Sequence, residues 1–275
     1  MNAKALERIA EKSESREGYA VVPFFECREA ARENGLFFRE AEILALENGI
    51  CPSRYERNIG TTGLEGQAKL LRSKVAVAGC GGLGGWIVEM AARMGFGEIA
   101  VADGDVFSDS NLNRQLLATE ENLGVRKAEA AARRVRQLNA VIDVHTETDY
   151  LDYARALRFL QGCDIVIDAL DNNSSRKDLF RASSETGIPF VHGAIGGNFG
   201  QCGVFYPNDA PLWGSADTPN KGVEVQLGNP AYTPAFVAAL QVSLAVGIVT
   251  GVSEAQCREL LWFDLQTLNF QKIKL

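Results

Sequence analysis

A chain of 275 residues is long enough for one large α/β domain, or such a domain with a small appendage. Hydrophobic residues make up 46% and charged residues 23%, which is the balance of an ordinary folded chain and excludes a disordered one. The net charge of −7 argues against nucleic-acid binding by electrostatics, which needs a basic surface, and suits a protein that handles a small anion in one local basic pocket.

The chain opens with MNAKALERIAEKSESREG, charged and without the apolar stretch of a secretory signal, so a cytoplasmic location is expected. Residues 1–52 read as a helical extension. One short helix starts at Glu26-Cys27-Arg28 and stops at Asn34-Gly35. A second starts at Phe38 and stops at Asn48-Gly49, since Gly or Asn after the last periodic residue ends a helix. Two short helices around a glycine also occur in helix-turn-helix DNA readers. The acidic balance favours instead an arm packed on the main domain or on a partner subunit.

Residues 53–275 read as one domain. Strand and helix alternate from residue 74: strand 74–78, helix 82–94, strand 98–102, helix 124–138, strand 141–146, helix 150–160, strand 164–169, helix 174–186, then strands 189–192 and 203–206. This alternation predicts parallel βαβ units, hence a Rossmann-like doubly wound α/β fold with a mostly parallel sheet. Its ligand crevice lies at the carboxyl ends of the strands. Residues 207–230 hold four prolines and no periodicity, so they predict a long functional loop. Residues 231–251 are apolar and long enough to span a bilayer. Pro234, Gln241 and Ser243 and the lack of a basic flank favour a buried core or interface helix, so no membrane partner is expected. Two closing strands, 260–265 and 269–275, are expected to add antiparallel to the sheet.

The six cysteines are Cys27, Cys51, Cys80, Cys163, Cys202 and Cys257, and none forms a C-x-x-C pair. Scattered thiols predict reduced cysteines and neither a disulfide framework nor a structural zinc site. Cys80 sits at a helix N-terminus, which lowers thiol pKa values, yet a packing role is favoured. Trp86, Trp213 and Trp262 are expected to be core or interface aromatics.

Gly79-Cys80-Gly81-Gly82-Leu83-Gly84 is a G-x-G-x-x-G turn that follows a predicted strand and opens a predicted helix. Gly79, Gly81, Gly82 and Gly84 would let backbone N–H groups approach a phosphate, with the helix N-terminus adding partial positive charge. Asp103, about twenty positions on at the end of the next strand, fits a ribose hydroxyl. The turn alone would suit a dinucleotide. Arg114 and Lys127 suggest a triphosphate instead, whose extra charge needs neutralising. The stretch Asp168-Ala169-Leu170-Asp171-Asn172 ends a strand, where a carboxylate can hold Mg²⁺.

Together with Arg54-Tyr55-Glu56-Arg57, DGD, SNLNRQ, GVRKAEA, DALDN and His192-Gly193-Ala194 through Gly200-Gln201, these motifs make the chain resemble the ThiF/MoeB/HesA family of sulfur-carrier adenylyltransferases, relatives of the ubiquitin-activating enzymes. The resemblance covers about Arg54 to the C-terminus. It implies a homodimer that binds MgATP and adenylylates the C-terminal Gly-Gly carboxylate of a ubiquitin-like sulfur carrier. It further implies that Asp103 holds the ribose, with Asp105 and Asn172 also at the nucleotide. Asn111, Arg114 and Lys127 would contact the phosphates, Asp171 the Mg²⁺, and Arg57 the phosphates from the partner subunit. Many members carry two C-x-x-C pairs for zinc; here Leu212-Trp213-Gly214-Ser215-Ala216-Asp217 stands where the first would fall, so no zinc is predicted. No cysteine lies between Cys202 and Cys257, so a covalent sulfur step in the crossover loop is not expected. Three other readings stand beside this one: a relative that activates a threonylcarbamoyl-modified tRNA nucleoside, a non-catalytic nucleotide- or carrier-binding scaffold, and an NAD-dependent oxidoreductase. The last lacks a hydride-handling residue beyond His192.

Overall fold

A computed structural model describes residues 2–210, 220, 222–251 and 259–274. The N-terminal region runs α1 (Asn2–Glu11), β1 (Glu14–Ser15), β2 (Ala20–Val22), α2 (Phe24–Asn34), α3 (Phe38–Glu47) and β3 (Ile50–Pro52). Helices α2 and α3 form where the sequence places them. The first ends on Gly35 at φ +66, the left-handed cap that suits glycine. The region is more than a helical arm, however. Helix α1 precedes these two, and β2 pairs antiparallel with β1 and parallel with β3 in a small sheet. Strands of two or three residues are too short to show an alternating pattern. The core beneath them is built largely from small side chains: Ala5, Ile9, Val22, Cys27, Ala30, Ala31, Ala41, Ala45 and Ile50. Such a core buries little apolar area, and Val21, Leu46 and Cys51 carry it into the main core.

A buried polar cluster joins the two parts. Glu42 is 1% exposed, accepts from Tyr55 Oη at 3.1 Å and lies 3.5 Å from Arg54 Nε. Tyr55 Oη accepts from Asn139 Nδ2 at 2.8 Å, and Arg54 donates to Asn139 Oδ1. Burial pushes the Glu42 carboxyl up to about 7, against the pull of Arg54, Tyr55 and Arg28. A raised carboxyl pKa favours the fold while the group is protonated, so this contribution is lost as pH rises from about 4.5 to about 7. Glu42→Gln is therefore expected to flatten stability across that window, by on the order of 2–3 kcal/mol in urea melts at pH 5 and pH 7.5. An unchanged pH slope would refute a protonatable Glu42.

After a 3-10 turn at Ser53–Asn58, α4 (Ile59–Arg72) leads into an eight-stranded sheet. Its parallel strands are β4 (Lys74–Ala78), β5 (Glu98–Ala102), β6 (Asp143–Glu147), β7 (Ile165–Asp168) and β8 (Phe190–Gly196). They alternate with α5 (Gly82–Met94), α6 (Lys127–Leu138), α7 (Tyr153–Phe159) and α8 (Asn173–Thr186). Then come β9 (Phe199–Phe205), a short α9 (Glu224–Leu227), α10 (Tyr232–Thr250), β10 (Glu259–Asp264) and β11 (Asn269–Lys274). The spatial order is β11-β10-β9-β8-β7-β4-β5-β6, with β9, β10 and β11 antiparallel. The predicted doubly wound sheet with antiparallel C-terminal strands is therefore present. All four residues of β7 are buried, as are four of five in β4 and in β5. These are the continuous apolar runs of strands covered on both faces.

Several boundaries shift from the sequence reading. Helix α6 begins at Lys127 because Arg126, bridged to Val106, is itself extended and follows a turn at Gly124. Strand β6 starts at Asp143, and Asp152 caps α7, accepting from Arg155 N at 2.8 Å. The two short strands expected at 189–192 and 203–206 belong to one hairpin of two seven-residue strands, β8–β9, turning at Gly197 and Asn198. Glycines at 193, 200 and 203 dilute its apolar signal. A side chain at Gly193 would strike Gln241, and one at Gly200 would strike Phe263.

Helix α10 is apolar, with a mean hydropathy of 1.7. Pro234, Val237, Ala238, Gln241, Val242 and Ala245 are buried, several of them within the main core, and the helix lies against α4, α5 and the β8–β9 hairpin. Gln241 Nε2 donates to the carbonyls of Asp168 at 2.7 Å and Val191 at 3.2 Å, pinning the helix to the sheet.

Candidate functional site

Strand β4 has β5 on one side and β7 on the other, so the chain reverses direction across the sheet between β4 and β7. Ligands enter open α/β sheets at such a switch point. A cleft of about 600 Å³ opens there. One wall is the glycine turn after β4, and the floor carries the residues after β5 and β7. The far wall is the β8–β9–β10 face, with Gly222, Val223, Glu224 and Val225 over it.

The glycines divide into two kinds. Gly79 has φ +95, and a Cβ there would lie 2.5 Å from the Ala169 carbonyl oxygen. A Cβ on Gly84 would lie 1.8 Å from the Gly79 carbonyl oxygen. These two set close packing of turn, helix and the β7 loop, and Gly84 does not line the cleft. Gly81 and Gly82 do line it, and a Cβ on either would meet nothing closer than 3.5 Å. Their backbone is thus the approachable part, at the N-terminus of a 13-residue helix with no acidic residue in its first turn.

Asp103 lines the cleft and accepts from Cys80 N at 2.7 Å and Asp105 N at 2.8 Å. Burial pushes its carboxyl up, while Lys127 and the two N–H bonds pull it back. Lys127 is buried, with Nζ 3.0 Å from Asp105 Oδ2. Tyr150, which the sequence reading passed over, donates its hydroxyl to Asp105 and lays its ring on Gly104. Its phenol is pushed up chiefly by Asp105, with Asp103 and Asp171 adding to the effect. Arg114 is half-buried beside Gly82 and donates to Ser110 O and Asn113 Oδ1.

Asp171 and Asn172 also line the cleft. Asn172 is the N-cap of α8, accepting from Ser175 N at 2.9 Å. Asp171 therefore does not cap the helix. Its exposed carboxylate makes no side-chain hydrogen bond among the described residues. Among those residues no three His, Cys, Asp or Glu side chains cluster as metal ligands. A lone exposed carboxylate is compatible with Mg²⁺, which binds through one or two carboxylates and would find its other ligands in waters and a bound phosphate.

Besides Gly84, two further expected residues stand apart. Asn111 is buried and does not line the cleft; its Oδ1 accepts from Ser108 N at 3.0 Å and closes a turn. Arg57 is exposed on the Ser53–Asn58 turn and does not line the cleft of its own subunit. Cys80 is fully buried, and burial beside Asp103 drives its thiol pKa well up, which leaves it a packing residue. Trp262 is not a core aromatic: it lines the cleft and stacks on Phe199 at 5.7 Å. Trp86 packs against the main core, whereas Trp213, Cys257 and the 212–217 stretch lie outside the described residues.

The sequence reading also missed a buried chain of polar groups along the cleft's inner wall. Asp168, fully buried at the end of β7, accepts from Arg176 Nε at 2.7 Å and from His192 Nδ1 at 2.8 Å. His192 Nε2 lies 3.0 Å from Gln201 Nε2. Burial pushes the Asp168 carboxyl up, but Arg176 and His192 outweigh it and hold it below the usual range. Burial also pushes His192 down, against Asp168. Arg176, His192 and Gln201 all face the cleft. The signal available beforehand was a carboxylate at a strand end, one of the two in DALDN.

The glycine turn, the buried Asp103 carboxylate, Arg114 and Lys127, and the exposed Asp171 line one cleft of a doubly wound sheet, an arrangement that suits a phosphorylated nucleotide. The ThiF family model matches residues 55–275, and the chain belongs to that family. It is 34% identical over 227 residues to the SAMP-activating enzyme E1 of Haloferax volcanii, covering 80% of this chain and 84% of that protein. It is 31% identical over 238 residues to the sulfur carrier protein adenylyltransferase of Thermus thermophilus, covering 80% and 86%. It spans about half the length of several further curated relatives. Among solved structures, E. coli MccB with ATP superposes with a TM-score of 0.70 at 20% identity, over 92% of this chain and 79% of that one. That likeness, which is one of fold, extends into the N-terminal unit.

Proposed function

We propose that this protein adenylylates the C-terminal carboxylate of a ubiquitin-like sulfur carrier ending in Gly-Gly, using MgATP, as a cytoplasmic homodimer. The observation that carries this reading is the meeting of Gly81–Gly82, Arg114, Lys127 and Asp171 in one cleft of a ThiF-family chain. The names of the two sequence relatives point the same way, to carrier activation.

In this reading Asp103 takes the ribose hydroxyls on the carboxylate lone pairs that Cys80 and Asp105 leave free. The backbone of Gly81 and Gly82 receives the phosphates at the start of α5. Lys127, preset beside Asp105, and Arg114 neutralise phosphate charge. Asp171 would hold the Mg²⁺, which would supply further charge neutralisation at the phosphates. An oxygen of the tail carboxylate attacks the α-phosphorus, forming a mixed anhydride. The bond to the bridging oxygen breaks, and pyrophosphate leaves with the electron pair. No general base is required, since a carboxylate is already ionised at neutral pH. Catalysis comes from alignment and electrostatics.

Arg57 reaches the phosphates from the partner subunit in this scheme, which accounts for its exposed place outside its own cleft. The sequence carries no paired cysteines for zinc and none between Cys202 and Cys257, so the reaction stops at the acyl adenylate. ATP–pyrophosphate exchange with purified Gly-Gly carrier proteins tests the reading. Carrier-dependent exchange is expected, and its absence with every co-encoded carrier would sink the proposal.

A further inference from the structure

We infer that Gln201 reads the backbone of the incoming tail, accepting with its amide oxygen the N–H of the terminal glycine, and that the buried chain Arg176–Asp168–His192 sets its orientation. This rests on the carrier-adenylylation reading and assigns a recognition contact within it.

The direction of the Gln201 amide follows from the far end of the chain. Asp168 is fully buried with the Arg176 guanidinium at 2.7 Å, so it is a carboxylate and only accepts. His192 Nδ1, at 2.8 Å, must then carry the hydrogen. Burial pushes His192 below its ordinary value, so at neutral pH the ring has one hydrogen and Nε2 is an acceptor. Gln201 therefore turns its NH₂ toward Nε2 at 3.0 Å, and its carbonyl oxygen faces the other way. Reversing the amide would set two acceptors against each other. The His192 contact is the only side-chain hydrogen bond of Gln201 among the described residues, and Gln201 lines the cleft. A fixed acceptor aimed into a binding cleft selects for a donor.

Strand register shows which donor. Gln201 stands opposite Ala194 on β8 and opposite Trp262 on β10, so the three form one cross-strand row. Residues opposite one another in an antiparallel pair share a face of the sheet, here the face that lines the cleft. The row is small at one end and aromatic at the other, where Trp262 stacks on Phe199. Above it, Val223 closes on Gly196, where a Cβ would lie 2.7 Å from Val223 Cγ2. A slim extended tail fits beneath. The donors that such a tail offers along its length are its backbone N–H groups. A terminal carboxylate directed at the nucleotide phosphates brings the last of these to the inner wall, where Gln201 stands. Gln201 thereby contacts substrate, and His192 acts through it as a positioning residue.

The test compares a carrier protein ending in glycine with the same carrier ending in N-methylglycine, made by peptide ligation, in ATP–pyrophosphate exchange. The wild-type enzyme is expected to lose about 10- to 100-fold in kcat/KM on the methylated tail, the loss expected for one buried acceptor left unpaired. In Gln201→Met, close in shape but without the amide, the two tails are expected to react at rates within about twofold of each other. Calorimetric binding of the matching tail peptides as C-terminal amides reads the same ratio if Gln201→Met turns over too slowly. For His192→Phe, discrimination is expected to fall below about fivefold, since the amide is no longer held in one direction; a purely structural role would leave it intact. Equal handling of both tails by wild type, or full discrimination retained in Gln201→Met, overturns the inference and leaves the adenylylation reading standing. No exchange with the unmodified carrier sinks both.

Discussion

Asp171→Ala is expected to lower carrier-dependent pyrophosphate exchange by at least about a thousandfold while leaving the fold untouched. Both halves come from the geometry. The Asp171 carboxylate is exposed in the cleft and makes no side-chain hydrogen bond among the described residues, so removing it breaks no contact there. The cap of α8 belongs to Asn172, and the start of that helix is further tied by Asn220. Asn220 accepts from Asn173 N at 2.9 Å with its carbonyl and from Ser174 N at 3.0 Å with Oδ1. Stability should stay within about 0.5 kcal/mol of wild type. In the proposed scheme, by contrast, the chemical step would lose the anion that holds Mg²⁺ among the phosphates. Exchange assays beside thermal melts check the pair. Full activity in the variant would overturn the magnesium assignment, and a large drop in Tm would mean that Asp171 is structural.

Arg176→Leu is expected to act in the opposite manner, through stability. It leaves Asp168 fully buried and facing a neutral imidazole, and an uncompensated buried charge costs about 3–5 kcal/mol. Arg176 also donates to the Leu170 carbonyl and to Asn173 Oδ1, so the loop carrying Asp171 loses an anchor too. Urea unfolding at pH 7 reads the cost; a loss below about 1 kcal/mol would contradict the ion-pair account. Adding Asp168→Asn should restore much of the stability, because the charge goes with its partner. The Asp168–His192 pair contributes a pH dependence of definite sign, opposite to that of Glu42. His192 titrates below its ordinary value in the fold, so its contribution is present above about pH 6.5 and fades as pH falls below that. Asp168 lies below the usual carboxylate range, so its contribution is present above about pH 4 and is lost as pH falls through the folded value. Both effects make the chain less stable in acid.

These two variants separate what could be read beforehand from what could not. The cleft position of Asp171 is legible because the residue sits in a local motif at a predicted strand end. Arg114 and Lys127 were legible for the same reason, and both line the cleft. Gly84 belongs to the glycine motif yet packs against the Gly79 carbonyl, a contact that depends on how closely the helix approaches the strand. Asn111 carries a motif name without a cleft position, since its carbonyl closes a turn. Tyr150, Trp262 and Gln201 gave no signal. Tyr150 follows β6, two strands from the glycine turn, and Trp262 lies 61 positions after Gln201 yet pairs with it directly.

By itself the sequence determined the doubly wound class, the glycine turn and the charged residues gathered near it, because helix period, strand runs and turn chemistry are local. It also determined that no cysteine pair is present. Tertiary structure alone decided which glycines open on the cleft and which pack against backbone, and that the N-terminal helices carry a small sheet. It also decided that Asp168, Arg176, His192 and Gln201 form one line. Those facts depend on strands far apart in sequence being laid side by side. A buried carboxylate, a ring nitrogen and an amide acquire their roles only from the partners that the sheet order brings to within 3 Å.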